Sequence, residues 1–382
     1  MNSAESDYVY VRDRDSMEKL IVRIGAAARG AFDTEADSLD NYFEKVCLIQ
    51  LSVAGENYIV DPLAELDLTR FGEALAEKPL IVHGGDYDLR MMRASMGFKP
   101  GREVFDTMIA AQLLGFEQIG LAALIERFLG VAIEKTGQKS DWSRRPLSEK
   151  QLRYAINDTR FLEEIADRVH AALREVGRVD WHWESCQAMV QSTGRVNARD
   201  PEAAWRIKGS GRFSRRQLAY LREIWRWRDQ QARHANAPAF KILGNQQIFE
   251  MALWTESHPA ASLQQGPKLP RNLVGWRLST LEEAIRRAEA MAPAQWPELL
   301  RHDRDPSLSG PCKEQVTAMR AECARIPKEL NIAASTLAPR AAIEAIARSQ
   351  SPDLDENIKK NGLLRWEGQW LQGVVDKILA SK

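Results

Sequence analysis

The sequence predicts a mixed α/β domain followed by helical domains. Over the first ~175 residues, short apolar runs rich in β-branched residues alternate with helical patterns, as they do in α/β domains. Beyond this point helical periodicity replaces the strands, and ten of the eleven tryptophans lie at or after Trp181. The length of 382 residues also exceeds what one hydrophobic core usually holds. We therefore expect more than one domain.

Four apolar runs are predicted to be strands of the first domain, at residues 31–34, 46–53, 58–60 and 80–82. The run at 46–53 begins as a continuous apolar stretch and ends in alternation. This pattern is typical of a central strand that is buried on at least part of both faces. The expected architecture is a mixed sheet flanked by helices.

A long helix is predicted to begin after Pro146. Ser148 and Gln151 have the spacing of a capping box, in which two side chains satisfy free backbone N–H groups at a helix start. The helical pattern continues to about Gly177. Tyr154 and Asp158 lie on this predicted helix.

The overall composition is that of an ordinary soluble protein. The chain has 44% hydrophobic and 28% charged residues and a formal net charge of zero, so any nucleic-acid-binding surface must be local. Its four cysteines are scattered without a Cys-x-x-Cys pair, which argues against a zinc site or a disulfide framework. The first residues lack the pattern of a secretory leader, and no run is apolar enough to span a bilayer. We expect a cytoplasmic protein with no membrane partner.

Four short stretches supply carboxylates in a fixed order. They are residues 32–35 (Phe-Asp-Thr-Glu), 83–88 (His-Gly-Gly-Asp-Tyr-Asp), 105–107 (Phe-Asp-Thr) and 154–158 (Tyr-Ala-Ile-Asn-Asp). No stretch is informative alone, since Asp-Thr-Glu is usually a strand end or a helix cap. Their order and surroundings together indicate a nuclease site that binds two metal ions.

The predicted elements can bring these side chains together. Asp33 and Glu35, two residues apart on a strand, project to the same side of the sheet. Tyr154 and Asp158 are one helical turn apart, with Cβ atoms about 5–6 Å from each other. Asp88 follows a strand that ends at two glycines, which permit a tight turn into the next helix. Asp88 is therefore expected to bridge the two pairs.

Carboxylates crowded in this way repel one another, and folded proteins tolerate them mainly when cations neutralise the charge. Mg²⁺ or Mn²⁺ suits such hard oxygen ligands. Two such ions about 3.5–4 Å apart can activate a water for attack on a phosphodiester and stabilise the leaving oxygen. An adjacent tyrosine hydroxyl can orient that water. The residues thus predict phosphodiester hydrolysis without a covalent intermediate.

These motifs resemble those of the ribonuclease D branch of the DEDD exonucleases, in the subgroup with a tyrosine four residues before the last aspartate. All three exonuclease motifs occur in the family's order. The resemblance implies a ribonuclease H-like exonuclease fold and a bound pair of divalent ions, Mg²⁺ or Mn²⁺. It also implies that Tyr154 orients the attacking water. The metal ligands that it implies are Asp33, Glu35, Asp88 and Asp158.

Two aspartates near the motifs have competing interpretations. Asp86 lies two residues before Asp88, and only the family's His-x-Gly-x-x-Asp pattern favours Asp88. Asp106 resembles the family's aspartate that begins the following helix, which favours a structural cap over a ligand.

Several residues near the motifs are candidate contacts to nucleic acid. Lys139, Arg144 and Arg145 lie in a loop similar to the family's loop before the third motif, although a surface loop anchored by Trp142 explains these residues equally well. His83, which begins the second motif, is a further candidate.

A second basic region lies further along the chain. Residues 206–241 contain ten Lys or Arg and two acidic residues, an excess that can follow a phosphate backbone. Ser214 and Gln217 again have capping-box spacing, and the helix that they begin has a basic side with Arg222 and Arg226. This region resembles the HRDC module of RecQ-type helicases and ribonuclease D. The resemblance implies nucleic-acid binding, and a purely structural module is the alternative.

The resulting division of the chain has three domains. We predict an exonuclease domain at 1–178, a linker at 179–207, an HRDC domain at 208–293 and a degenerate HRDC-like helical domain at 310–382. Trp366 and Trp370 are expected to pack in a core.

The predicted function is metal-dependent removal of single nucleotides from the 3′ end of RNA, with release of nucleoside 5′-monophosphates. The resemblance implies transfer-RNA precursors and other small structured RNAs as substrates, and we expect a monomer. A 3′–5′ exodeoxyribonuclease stays an alternative, because the motifs do not reveal recognition of a 2′-hydroxyl. An inactive RNA-binding scaffold is a third hypothesis, but all five expected active-site residues are present.

Overall fold

The structure, a computed structural model, describes residues 7–37, 41–43, 45–133, 140–194, 203–299, 310–333, 336, 340–349 and 353–379. The chain divides into two units. The first consists of Met1–Ala36, Lys45–Arg195 and Leu308–Lys382, and the second of Asp37–Glu44 and Val196–Ser307. All four carboxylate motifs belong to the first unit.

A mixed sheet forms the centre of the first unit. Its six strands have the order β1-β4-β3-β2-β5-β6. β3 pairs antiparallel with β2 and with β4, whereas the other neighbours are parallel. The strands are β1 (Val9–Val11), β2 (Gly30–Ala36), β3 (Val46–Val53), β4 (Glu56–Val60), β5 (Leu80–Val82) and β6 (Val104–Asp106).

The four predicted strands are confirmed as β2 to β5. β3 is buried at all eight positions, as expected for a central strand. The sequence did not reveal β1 and β6. Like β5 they have three residues, but their sequences, Val-Tyr-Val and Val-Phe-Asp, are not the continuous aliphatic run that made β5 recognisable.

Helices cover both faces of the sheet. Phe32 packs in one hydrophobic cluster with Leu20 and Leu89, whereas the adjacent Ala31 packs with Leu162 and Ala166 in another. Successive residues of β2 therefore face different helices. The helices are α1 (Arg14–Ala26), α2 (Thr69–Ala76), α3 (Asp86–Met96), α4 (Thr107–Leu113), α5 (Leu121–Leu129), α6 (Glu149–Asn157), α7 (Leu162–Glu175) and α8 (Val179–Thr193).

The single helix predicted from Pro146 to Gly177 was wrong in one respect, because it is divided into α6 and α7. Its start is confirmed, with the predicted capping box of Ser148 and Gln151. Asp158 is the C-cap of α6, and α7 begins at Leu162. Between them Thr159 is buried, and its Oγ1 accepts a hydrogen bond of 3.0 Å from Ser52 Oγ on β3. This buried contact occupies the break, and helical periodicity could not reveal it.

The carboxy-terminal helices pack within the first unit. Met319, Ile346 and Trp366 share one hydrophobic cluster with residues of α4, α5 and α7. Trp366 also stacks on Trp181 of α8, with ring centroids 4.9 Å apart, so the expected core position of Trp366 is confirmed. The domain limits predicted at 178, 208, 293 and 310 remain predictions. These helices are α13 (Gly310–Cys323), α14 (Ile326–Leu330), α15 (Arg340–Ser349), α16 (Leu354–Asn361) and α17 (Arg365–Leu379).

The second unit is helical. Its core includes Phe213, Leu221 and Trp227. The capping box of Ser214 and Gln217 is present and begins the first helix of the unit, as predicted. The helices are α9 (Arg215–His234), α10 (Ala239–Ile242), α11 (Asn245–Ser257) and α12 (Trp276–Glu289).

A search of the described helices for one with the length and apolar character of a membrane span found none.

Candidate active site

Three carboxylates converge at the carboxyl end of β2. Asp33 and Glu35 lie on β2, and Asp158 ends α6. Each offers an oxygen atom within 4.8 Å of those of the other two. Asp33 and Glu35 share the side of β2 that also carries Ala31, which faces the first turns of α7. The alternation of the strand and the end of α6 therefore place these groups at one point.

Asp88 lies beside this cluster and is nearly buried, with 8% of its surface exposed. Its Oδ1 accepts two hydrogen bonds from Thr34, one from the backbone N at 3.1 Å and one from Oγ1 at 2.6 Å. Thr34 stands between the two carboxylates of β2. Asp88 is thus held against β2 from helix α3.

The competing aspartate, Asp86, has a different environment. Its Oδ2 lies 2.7 Å from Arg90 Nη2, and its side chain is 43% exposed. The structure therefore brings Asp88, and not Asp86, to the carboxylates of β2. Which aspartate binds metal remains a prediction.

Burial and mutual repulsion raise the pKa of the clustered carboxyls. For Glu35, burial and the neighbouring Asp158 and Asp88 raise the pKa to about 9. Burial raises the pKa of Asp158 to about 7, although its hydrogen bond with Tyr154 opposes this change. The pKa of Asp33 lies well above its usual range, first through burial and then through repulsion by Asp88. Without a cation, this cluster holds protons at neutral pH.

Tyr154 reaches the cluster from α6, one turn before Asp158. Its hydroxyl hydrogen-bonds the Asp158 carboxylate, and its ring lies against Trp142 with centroids 6.1 Å apart. Burial raises the pKa of the Tyr154 phenol above its usual value, and repulsion from the carboxylates of Asp158 and Glu35 raises it more. The hydroxyl therefore stays protonated and can donate a hydrogen bond into the site.

Asp106 is a structural residue, and its predicted role as a helix cap is confirmed. It is fully buried and accepts hydrogen bonds from the backbone N–H groups of Met108 and Ile109 at the start of α4. It also accepts from the N–H groups of Gly84 and Gly85, at 3.0 and 2.9 Å. Asp106 thus fixes the turn that begins α3 and so positions Asp88.

Both glycines of this turn are required by its geometry. Gly84 has a positive φ of 69°, which favours glycine. A Cβ at Gly85 would lie 2.6 Å from Cγ2 of Val82. The tight turn predicted from these glycines is confirmed.

A cavity of about 440 Å³ opens over the carboxylates, and we call it the catalytic cavity. His83 lies in its lining, with Nδ1 2.9 Å from Thr107 Oγ1, whereas its buried Nε2 has no hydrogen-bond partner among the described residues. The sequence did not reveal the apolar part of the lining, which the chain assembles from separate elements without a local motif. That part includes Met108, Leu121, Ala122 and Ile133.

Arg145, a predicted nucleic-acid contact, is engaged within the protein. Its Nε–H and one of its Nη2–H groups donate hydrogen bonds to the carboxylate of the buried Asp61, both at 2.6 Å. Its remaining N–H groups donate to the carbonyl oxygens of Trp142, Arg144 and Cys47, each at 2.8 Å. All five donors of the guanidinium are thus occupied within the protein. A contact between Arg145 and phosphate stays a prediction.

The other predicted basic contacts have varied environments. Arg144 is 82% exposed and lies 3.9 Å from Asp141. On α9, Arg222 and Arg226 both approach the buried Glu223, at 3.6 and 3.3 Å, and Arg222 is only 18% exposed. Lys139 lies outside the described residues.

Comparisons with known proteins identify the domains of this chain and its relatives. A family model described as a 3′-5′ exonuclease matches residues 8–174, and the HRDC domain model matches residues 217–259. The ribonuclease D of Zymomonas mobilis is 32% identical over 305 residues, which cover 77% of this chain and 75% of the relative. That of Acidiphilium cryptum is 29% identical over 351 residues, covering 91% and 88%.

Among solved structures, Escherichia coli RNase D has the same fold. It matches with a TM-score of 0.75 at 23% identity, over 100% of this chain and 99% of its own. The Escherichia coli protein is described as an exoribonuclease involved in structured RNA processing. The likeness to the Zymomonas mobilis protein establishes that the chain belongs to the ribonuclease D family, and the match to the family model establishes that its amino-terminal part is a 3′–5′ exonuclease domain.

Proposed function

We propose that this protein hydrolyses the last phosphodiester bond at the 3′ end of RNA and releases nucleoside 5′-monophosphates. The observation that carries the proposal is the convergence of Asp33, Glu35 and Asp158 within 4.8 Å, with a protonated Tyr154 beside them. The proposed catalytic residues are Asp33, Glu35, Asp88, Tyr154 and Asp158.

The donor set fits divalent cations. All the donors are carboxylate oxygens, which suit Mg²⁺ or Mn²⁺. Their raised pKa values also fit, because a cation would relieve the repulsion that now favours protonation. We propose that Asp33, Glu35, Asp88 and Asp158 hold two such ions. When bound, they would supply an activated water and neutralise charge on the leaving oxygen.

The protein's own groups position the reactants. The Tyr154 hydroxyl is one turn from Asp158 and can donate to the attacking water or to the scissile phosphate. Thr34 holds Asp88 in place through two hydrogen bonds. The apolar residues that line the catalytic cavity give the terminal base a surface to pack on.

The physiological role that we propose is 3′ trimming of transfer-RNA precursors and other small structured RNAs by a monomer in the cytoplasm. The relatives named ribonuclease D support an RNA substrate, and the description of the Escherichia coli protein as an exoribonuclease involved in structured RNA processing supports a structured one. The HRDC domain is a module for which nucleic acid is a suitable partner.

The test uses a 5′-labelled RNA with a free 3′-hydroxyl, incubated with Mg²⁺, Mn²⁺ or EDTA. A matched DNA, Asp88→Asn and Asp86→Asn complete the set. We expect a metal-dependent ladder that shortens from the 3′ end, is lost in Asp88→Asn and persists in Asp86→Asn. Equal shortening of DNA would make the protein a general exonuclease. RNA binding without cleavage under any metal would favour the scaffold.

A further inference from the structure

A second cavity adjoins the catalytic cavity along helix α6. Its volume is about 680 Å³, and we call it the α6 cavity. Ile133, Tyr154 and Asn157 line both cavities, so the two lie side by side along this shared wall.

The α6 cavity is lined by cations. Lys150 and Arg153 precede Tyr154 and Asn157 at intervals of three or four residues, so all four side chains lie along one face of α6. Arg160, in the turn after the helix, adds a third cation. The distance along the helix from Lys150 to Asn157 is about 10 Å. The nine lining residues include no carboxylate.

Two of these cations are available to a ligand. Lys150 and Arg153 are exposed, and neither forms an ion pair with any carboxylate in the described part of the chain. Arg160 has one long pair, 3.8 Å from the exposed Asp7. Lys150 and Arg153 therefore differ from Arg145, whose N–H donors are all occupied within the protein.

The charges of the two cavities are opposite. The catalytic cavity carries Asp33, Glu35 and Asp158 and no lysine or arginine among its lining residues. A strand whose terminal phosphate lies at the carboxylates continues away from them with one negative charge per nucleotide. The adjoining surface that attracts those charges is the cationic face of α6.

We propose that the α6 cavity binds the phosphates of the RNA strand on the 5′ side of the scissile nucleotide, through Lys150, Arg153 and Arg160. This inference rests on the proposed exoribonuclease function. It assigns to α6 two tasks: Tyr154 acts at the scissile phosphate, and the cations on the same face hold the strand that precedes it.

The test compares the parent protein with Lys150→Gln, Arg153→Gln and the double variant. The matched control is Arg174→Gln, which removes one exposed charge from α7 outside both cavities. Affinity for a ten-nucleotide RNA is measured in Ca²⁺ at several salt concentrations. Each removed contact should lower the slope of log affinity against log salt by about 0.7. Arg174→Gln should keep the parent's slope.

Substrate length provides a second readout. The kcat/KM for the ten-nucleotide RNA, divided by that for a dinucleotide with one phosphodiester, should fall about tenfold in the double variant, because only the longer strand reaches the cations. Lys150→Gln, which alone removes one of the proposed contacts, keeps the test decisive if Arg153→Gln misfolds. Arg153→Lys retains the charge and should retain the slope, which separates loss of charge from loss of the Arg153 side chain.

Four outcomes are distinguishable. If the parent shortens no RNA, the proposed function fails and this inference fails with it. If the parent is active but the variants keep its salt slope and length dependence, only the inference is overturned. Equal losses on both substrates would place the cations at the scissile phosphate. Altered inhibition by a nucleoside monophosphate, with length dependence unchanged, would make the α6 cavity a product site and would also contradict the proposal.

Discussion

The hydroxyl of Tyr154 is a neutral donor that α6 brings to the carboxylate cluster. It stays protonated because burial and nearby carboxylates raise its pKa. We expect Tyr154→Phe to lower kcat by at least tenfold, equivalent to about 1.4 kcal/mol of transition-state stabilisation, since the water loses its orienting hydrogen bond. Metal binding, measured by Mn²⁺ titration, should change little. An unchanged kcat would exclude Tyr154 from the mechanism.

The raised carboxyl pKa values also predict how pH affects the metal-free protein. In the unfolded chain a glutamate titrates near 4.3, whereas in the folded protein the pKa of Glu35 is about 9. Between these values the folded state binds more protons than the unfolded state. The free energy of unfolding therefore falls as pH rises from about 4.3, until the pH passes about 9.

This fall can be measured as the Tm in EDTA between pH 5 and pH 9. Mn²⁺ should restore the Tm most at high pH, because metal binds the deprotonated carboxylates. Glu35→Gln should reduce the fall in EDTA, whereas Asp86→Asn, at an exposed position, should not. A Tm that stays constant across this range in the metal-free parent would contradict the raised pKa values.

At this scale the sequence predicted the convergence of the carboxylates better than it predicted their surroundings. Asp33 and Glu35 lie on the same side of β2 because the side chains of a strand alternate between its two faces. This period of two can be recognised from a sequence alone. The hydrogen bonds from Thr34 to Asp88 join residues 54 positions apart. No local pattern encodes such a contact, so the choice between Asp86 and Asp88 depended on the family resemblance.

Among the elements, the segment before α6 is fastened to the sheet by Arg145. Its guanidinium pairs with the buried Asp61, which also accepts a hydrogen bond from Tyr10. Arg145→Ala should lower the free energy of unfolding by about 3 kcal/mol, because Asp61 loses its charge partner. Denaturation in urea measures this loss. The control is Arg144→Ala, at a side chain that is 82% exposed, with an expected change within about 0.5 kcal/mol.

The RNA affinity of the two variants should rank in the opposite order to their stability. If Arg144 contacts phosphate as the sequence predicted, Arg144→Ala weakens RNA binding without loss of stability. Normal stability with weaker RNA binding in Arg145→Ala would instead identify Arg145 as a phosphate contact. The sequence could not separate the two, because neighbouring arginines in a loop look alike until their acceptors are known.

Helix α6 shows what periodicity predicts and what it does not. Its capping box fixed the first residue correctly, since the pattern is local. Its end depends on the contact between Thr159 and Ser52 of β3, which are 107 residues apart. The sequence shows the cations Lys150 and Arg153 on α6, but it does not show that they line a cavity. That requires the folded structure.

At the scale of the whole molecule, the order of α/β and helical regions was predicted correctly. Composition could not show that the last helices join the core of the first unit. Their apolar residues pack with α4, α5 and α7, which precede them by more than 130 positions. The apolar face of an amphipathic helix indicates that this face is buried, but it does not indicate which element packs against it.

Trp366 tests whether the last helices support the catalytic unit. Its side chain is 3% exposed and stacks on Trp181 of α8. Trp366→Ala should lower the free energy of unfolding by about 3–5 kcal/mol. The reason is that it leaves a large cavity in the hydrophobic cluster that contains residues of both α7 and the last helices. We expect faster hydrogen exchange at the amides of α7. The control Trp183→Ala, at a side chain that is 54% exposed on α8, should change exchange little. If Trp366→Ala loosens only α13 to α17, these helices form a separate domain, as the sequence predicted.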